Sequence, residues 1–210
     1  MMMFEILIYD GFDDLDAIGV LEPMKMSGLS VCLKSLHEQS AVKTSSGTRI
    51  IPHGKFDLQN SPDVLIVPGG GWLARSSEGA YAEAKAGQIL SVLRSFHAAG
   101  GHLAAVCTGV LLLGKAGLLA GRPATTNHAA ISDLESMKAN IVRARIVDDY
   151  DIVTAGGITS SIDLGLWLVK RYCGAEKSRE IAILLEFEPR GPVWTRESWQ
   201  KEPKRLDVQL

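Results

Sequence analysis

Cys107 stands where a reactive thiol would be made. Segment 102–114, HLAAVCTGVLLLG, is an apolar run, one cysteine, and a second apolar run that starts at once, with small residues two places to either side at Ala105 and Gly109. A strand that ends on a nucleophile and passes directly into a helix turns so sharply that only small neighbours fit. The turn carries the side chain beyond the carboxyl ends of the strands, where open α/β sheets keep their sites. It also faces the side chain toward a helix N-terminus, whose free N–H groups and dipole favour an anion. A thiol there is expected to have a lowered pKa and to be partly thiolate at neutral pH. The plainer reading of a free cysteine, a small buried hydrophobe, suits Cys32 and Cys173, which fall inside a strand and at a helix end.

Two further features belong to the same chemistry. The run DVLIV at 63–67 is stopped by Pro68-Gly69-Gly70-Gly71. Glycines there leave backbone N–H groups free and admit a ligand closely, so Gly70 and Gly71, with the N–H of Thr108, are candidates for an oxyanion hole beside the Cys107 sulfur. No GK[ST] follows, so the glycines are not a phosphate loop. An acid would complete the site. Asp16 is the candidate because it lies just after the first strand, at the same sheet edge. It could equally be a helix N-cap, a role that Asp13 or Asp14 would fill as well.

The elements that must position these groups follow from the hydrophobic pattern. Short apolar runs at 4–9, 30–36, 49–52, 63–67, 102–106, 141–147 and 152–154 predict strands, with Asp148-Asp149 as a hairpin turn between the last two. Helical spacing predicts helices beginning after Asp13–Asp16, and over 80–98, 108–116, 132–139, 160–172 and 176–187. Strands alternating with helices imply a mostly parallel sheet covered on both faces. The 210 residues suit one substantial core. The expected division is an α/β domain over 1–188 and a C-terminal extension over 189–210, which should run as an extended surface segment.

Composition narrows the function classes. Apolar residues make up 46% and charged residues 22%, and 22 basic against 24 acidic residues give a net charge of −2. Neither sign dominates, which removes the electrostatic case for a nucleic-acid or membrane-surface partner. Three scattered cysteines make a disulfide framework unexpected, and none has metal-site spacing. No metal or cofactor is expected. The N-terminal MMMFEILIYDGFDD reads as a first strand and not as a signal peptide, and no run is long enough to span a bilayer. A reducing cytoplasm is the default location.

Taken in order, Leu15-Asp16-x-x-Gly19, Val67-Pro-Gly-Gly70, Val106-Cys-Thr-Gly109, the run LGKAGLLAGRPATT at 113–126 and GGITSSID at 156–163 resemble the ThiJ/PfpI superfamily, of class I glutamine amidotransferase-like fold. Within it they look most like the isonitrile (isocyanide) hydratase branch. The resemblance runs from residue 4 to about 187. It implies a flavodoxin-like three-layer sandwich with a nucleophile elbow at Cys107, and a homodimer. It implies that Cys107 is the nucleophile, Asp16 the acid, Thr108 a residue that hydrogen-bonds into the site, and Gly70 an oxyanion-hole donor. One departure puts Asn127 where many members carry histidine, with His128 one residue later. A one-residue shift changes where a side chain points, so both are candidates, and Asp16 is expected to do more of the proton handling.

The activity implied is a cysteine-dependent hydro-lyase acting on a small molecule. The Cys107 thiolate adds to an isocyanide to give a thioimidate, Asp16 moves protons, and water releases an N-substituted formamide. The alternatives are a glyoxalase III-like hydration of 2-oxoaldehydes and a redox-sensing or stress protein that uses reversible oxidation of Cys107. Peptidase activity ranks last, because the histidine is displaced.

Overall fold

A computed structural model describes residues 2–196 of the chain. The strands are β1 (Met3–Ile8), β2 (Ser30–Ser35), β3 (Val42–Lys43), β4 (Arg49–Ile50), β5 (Val64–Val67), β6 (His102–Val106), β7 (Pro123–Ala124), β8 (Asn140–Ile141), β9 (Ile146–Asp149), β10 (Ile152–Ala155) and β11 (Val193–Thr195). The α-helices are α1 (Asp14–Met26), α2 (Ala80–Ala86), α3 (Gln88–Ala98), α4 (Gly109–Lys115), α5 (Ile131–Ser136), α6 (Ser160–Cys173) and α7 (Ala175–Leu184). Seven strands form one sheet in the order β11-β9-β10-β6-β5-β1-β2. All neighbours in it are parallel except β9 and β10.

The central strands carry no polar alternation. Every residue of β5, and every residue of β6 after His102, is buried. That is what a strand needs when both faces are covered. Helices α1, α6 and α7 pack together, and α2, α3, α4 and α5 form a second group. The two groups cover the two faces, so the molecule is the three-layer α/β sandwich that the alternating pattern implies. Phe4, Ile6 and Ile8 of β1, Leu65 of β5 and Leu103 of β6 all lie in one continuous core with Val20 of α1 and Leu93 of α3.

Four local readings change. The helix expected over 80–98 is two helices, because Gly87 takes a left-handed φ of 82° that ends α2 and opens α3. Asp148 and Asp149 are not the hairpin turn. Both are buried in β9, and the turn falls at Tyr150, whose φ is 62°. Their charges are matched by arginine: Arg171 Nη1 lies 2.9 Å from both Asp148 carboxylate oxygens, Arg122 Nε lies 2.7 Å from Asp149, and Arg196 also pairs with Asp149. The strand expected over 141–147 is divided: β8 ends at Ile141 and pairs with β7, and β9 begins at Ile146. Within the expected extension, Val193–Thr195 joins the sheet as an edge strand parallel to β9. Residues 197–210 lie outside the described residues.

Candidate active site

The site begins with the backbone at Cys107. Its φ is 55°, a left-handed conformation that side-chain-bearing residues rarely adopt. Such a residue persists only where its surroundings over-determine it, at a cost of about 1–3 kcal/mol. Here they do. Cys107 N–H donates to Gly156 O at 2.8 Å, past the end of β10, and Cys107 O accepts from Thr126 Oγ1 at 2.7 Å. The turn then enters α4 against the end of β5. A Cβ on Gly109 would collide with Val67 O and Pro68 O, and one on Gly69 would lie 2.6 Å from Thr108 N. The small-residue requirement inferred for the elbow is therefore a contact between two loops, from β5 and β6.

Helix α1 supplies the acid and separates the three aspartates. Asp13 is the N-cap: its Oδ1 accepts from Leu15 N–H at 3.1 Å. Asp14 turns outward and accepts from Ser46 Oγ at 2.9 Å. Asp16, in the first turn, is 0% exposed. Its Oδ2 accepts from Gly69 N–H at 2.9 Å, and the Cys107 thiol beside the carboxyl favours its ionised form. Its Oδ1 has no protein partner. A buried carboxyl with one free oxygen, beside a thiol, is not a helix cap.

Three donors converge on the sulfur. Asn127 Nδ2 lies 3.6 Å from Cys107 Sγ, and the backbone N–H groups of Thr108 and Ile158 also favour the charged sulfur. Ile158 is itself strained, at φ 23°. Gly70, expected as an oxyanion donor, instead gives its N–H to Thr108 Oγ1 at 2.9 Å, which fixes the residue that caps the elbow helix. The carbonyl of Gly71 accepts from Ser76 N–H at 3.0 Å in the adjoining turn. His128 is exposed on a short 3₁₀ turn that Asn127 caps. Asn127, not His128, brings a side-chain N–H to the sulfur.

The sequence reading missed Ile158, Thr126 and Tyr9, whose ring is wholly buried beside the site, and it did not anticipate that Gly69 N–H would hold Asp16. Ile158 and Gly69 act through backbone N–H groups, which leave no side-chain signature. The Gly156-Gly157 pair just before α6 was the one available hint, since a glycine pair before a helix exposes N–H groups.

The electrostatics reverse one expectation. The Cys107 thiol is pushed up to about 11, first by burial and second by the Asp16 carboxylate, against the donors from Ile158, Asn127 and Thr108. Asp16 is pushed up to about 8, by burial and then by the charge of Asp13, against Gly69 N–H and the thiol. The lowered thiol pKa expected from a helix N-terminus does not arise. Helix α4 has only seven residues, and a cysteine 5% exposed beside a carboxyl loses more from desolvation and like charge than a short helix returns. At pH 7 iodoacetamide is therefore expected to label exposed Cys173 before Cys107, with the Cys107 rate climbing steeply above pH 8. Peptide mass spectrometry over a time course at pH 7 and pH 9 checks the order, and faster labelling of Cys107 at pH 7 would mean a stabilised thiolate.

Among the described residues, no group of three or more His, Cys, Asp or Glu side chains could hold a metal ion, and no helix is long and apolar enough to cross a membrane.

Known proteins share both the sequence pattern and the fold. The chain is 35% identical over 151 residues, 72% of its length, to an isonitrile hydratase of Pseudomonas putida, and the match spans 63% of that protein. A crystal structure of a ThiJ/PfpI family protein from Pseudomonas syringae is similar with a TM-score of 0.75 at 26% identity, over 91% of this chain and 77% of that one. Drosophila melanogaster DJ-1beta has the same fold, with a TM-score of 0.78 at 23% identity over 90% of this chain and 100% of that one. The sequence profile of the DJ-1/PfpI family matches residues 4–171, a span that holds the elbow, the acid and all three sulfur donors, and the chain is a member of that family.

Proposed function

We propose that this protein is a cysteine-dependent hydratase of small electrophilic molecules, with isocyanides as the substrate class. The observation that carries the reading is the buried Asp16 carboxyl set beside the Cys107 thiol, each influencing the other's ionisation. It makes a nucleophile and a proton carrier that need no histidine. The likeness to an isonitrile hydratase supports the choice of substrate.

The pair does its chemistry with one proton between its two members. The Cys107 thiolate forms a bond to the terminal carbon of R–N≡C, and that carbon takes the proton from Asp16, giving the thioimidate R–N=CH–S–Cys107. Water adds to the same carbon, losing a proton to Asp16, which passes it to the substrate nitrogen. The hydroxyl of the resulting adduct then yields its proton to Asp16 as the C–S bond breaks. The products are the formamide R–NH–CHO and the singly protonated pair with its proton on Asp16, the form that began the cycle and that exchanges with the resting thiol and carboxylate. Asn127 Nδ2 and the N–H groups of Thr108 and Ile158 hold the sulfur while it carries charge.

A pH profile follows. With two protons the pair has no thiolate, and with none it has no acid. The rate is expected to rise through about pH 8, where Asp16 ionises, and to fall toward about pH 11 as the second proton leaves. The test is incubation of the purified protein with cyclohexyl isocyanide and, separately, with methylglyoxal across this range, following N-cyclohexylformamide and lactate by chromatography. Formamide on a bell-shaped profile supports the reading. Lactate alone would move the substrate class to 2-oxoaldehydes, and neither product, with Cys107 oxidised reversibly by peroxide, would make the protein a redox sensor.

A further inference from the structure

Tyr9 follows β1 directly, and its ring is fully buried in the core. A buried phenol must place its hydroxyl on a partner, and here the hydroxyl donates to Pro68 O. The other end of the same peptide unit is Gly69 N–H, which donates to Asp16 Oδ2 at 2.9 Å. One amide thus stands between phenol and carboxyl, accepting at its oxygen and donating at its nitrogen. Hydrogen bonds in such a chain polarise one another, and the effect is greatest where the dielectric is low. The next peptide is tied to the same site, since Gly70 N–H holds Thr108 Oγ1.

We propose that Tyr9 is a positioning residue for the Asp16–Cys107 pair, acting through the Pro68–Gly69 peptide: its hydroxyl polarises that amide and so strengthens the hydrogen bond from Gly69 N–H to the Asp16 carboxyl. The proposal rests on the reading of Asp16 and Cys107 as the reacting pair, and not on the identity of the substrate. Tyr9 never touches the reacting atoms. It biases Asp16 toward the ionised form, against the burial that favours the acid.

The charged groups around this chain are few. Asp16 faces Asp13 on its own helix, the Cys107 thiol from the elbow and Tyr9. Tyr9 faces Asp16, Cys107 and Glu83 of α2, and all three hold its phenol well above the ordinary tyrosine range, after burial itself. Glu83 is paired through Oε1 with His37 Nε2 at 3.2 Å. Tyr9 therefore stays a neutral donor throughout the range in which Asp16 titrates.

The deciding measurement is the infrared carbonyl band of protonated Asp16, identified as the band that Asp16→Asn removes, followed with pH in the full-length protein. In Tyr9→Phe the amide loses its polarising donor while the ring still fills the core. The Asp16 midpoint is expected to move up by about half to one pH unit, a three- to ten-fold rise in proton affinity. The acidic limb of the turnover profile should move with it. Site-specific replacement of Tyr9 by 3-fluorotyrosine, a stronger donor of nearly the same size, is expected to move the midpoint down, and it decides the matter if Tyr9→Phe fails to fold. An unmoved midpoint in a folded variant would overturn the proposal and leave Tyr9 as a packing residue, even if activity falls. A protein that turns over no isocyanide but shows both infrared shifts would retain the Tyr9 inference and lose only the substrate.

Discussion

Replacing Cys107 by alanine is expected to lower isocyanide turnover on the order of a thousand-fold or more, because the covalent route disappears with the sulfur and no second nucleophile stands at Asp16. Cys107→Ser tests the same step more narrowly. A serine hydroxyl in this pocket has the same hydrogen-bond partners but is far harder to ionise, so its activity should fall nearly as far. Both variants should remain folded, since the interactions that hold the elbow, from Cys107 N–H to Gly156 O and from Thr126 Oγ1 to Cys107 O, are made by the backbone of residue 107. A stability comparison separates the elbow from an ordinary buried cysteine. In the interior of a helix or strand, glycine is about 0.5–1 kcal/mol less stable than alanine. At φ 55° alanine carries the strain and glycine does not, so Cys107→Gly is expected to melt no lower than Cys107→Ala. Turnover by product chromatography and melting by circular dichroism check the two halves. Residual activity within ten-fold of the parent in Cys107→Ala would remove the cysteine from the mechanism.

How much of this site can be read without coordinates depends on which atoms do the work. Cys107 is legible because an elbow demands small flanking residues, and Ala105 and Gly109 satisfy that demand in the sequence itself. Asp16 is half legible. Three aspartates within four positions all look like caps, and what separates them is which face of α1 meets the end of β5, a property of packing. Gly69 and Ile158 are not legible as donors, since a backbone N–H belongs to every residue and only the course of the chain aims it. The thiol pKa is misread for a related reason: a helix N-terminus can be seen in the sequence, but the burial of the sulfur and the nearness of a carboxyl cannot. Asp148-Asp149 fails in the opposite direction. Two adjacent carboxylates look like a turn, and it takes Arg122, Arg171 and Arg196, brought in from distant positions, to make them strand residues. Strand β11 shows the same dependence on distant partners, because residues 193–195 gain their ladder only from β9.

Asp16→Asn is expected to lower turnover by about a hundred- to ten-thousand-fold, the usual loss when a general acid–base is removed, and at the same time to make the protein more stable in alkaline solution. The two effects share one cause. Asparagine can keep the hydrogen bond from Gly69 N–H through its amide oxygen and can present an N–H₂ toward the sulfur, but it cannot give or take a proton. The helix start is untouched, because the cap is Asp13. For stability, the folded Asp16 carboxyl titrates at about 8, against an ordinary value of 3.8. Between those values the native state holds a proton that the unfolded chain has released, so stability falls as pH rises, by up to about 1.4 kcal/mol per pH unit, and levels off above about pH 8. The asparagine variant carries no such proton. Its stability curve should lack this decline, lie close to the parent near pH 4 and stand clearly above it at pH 8. Asp14→Asn serves as the control that should keep both activity and the parent's pH slope, since Asp14 faces outward; Asp13→Asn should keep activity, since Asn caps about as well as Asp, but it removes a charge that raises Asp16, so its decline should level off at a lower pH. Urea unfolding at pH 4, 6 and 8 with turnover at pH 8 makes the measurement. Full activity with an unchanged slope would return Asp16 to a structural role, and a loss of activity shared by all three variants would point to a disturbed loop. Loss of turnover joined to a gain in alkaline stability, in Asp16→Asn alone, is the signature of a carboxyl held in an unfavourable place because the reaction needs its proton there.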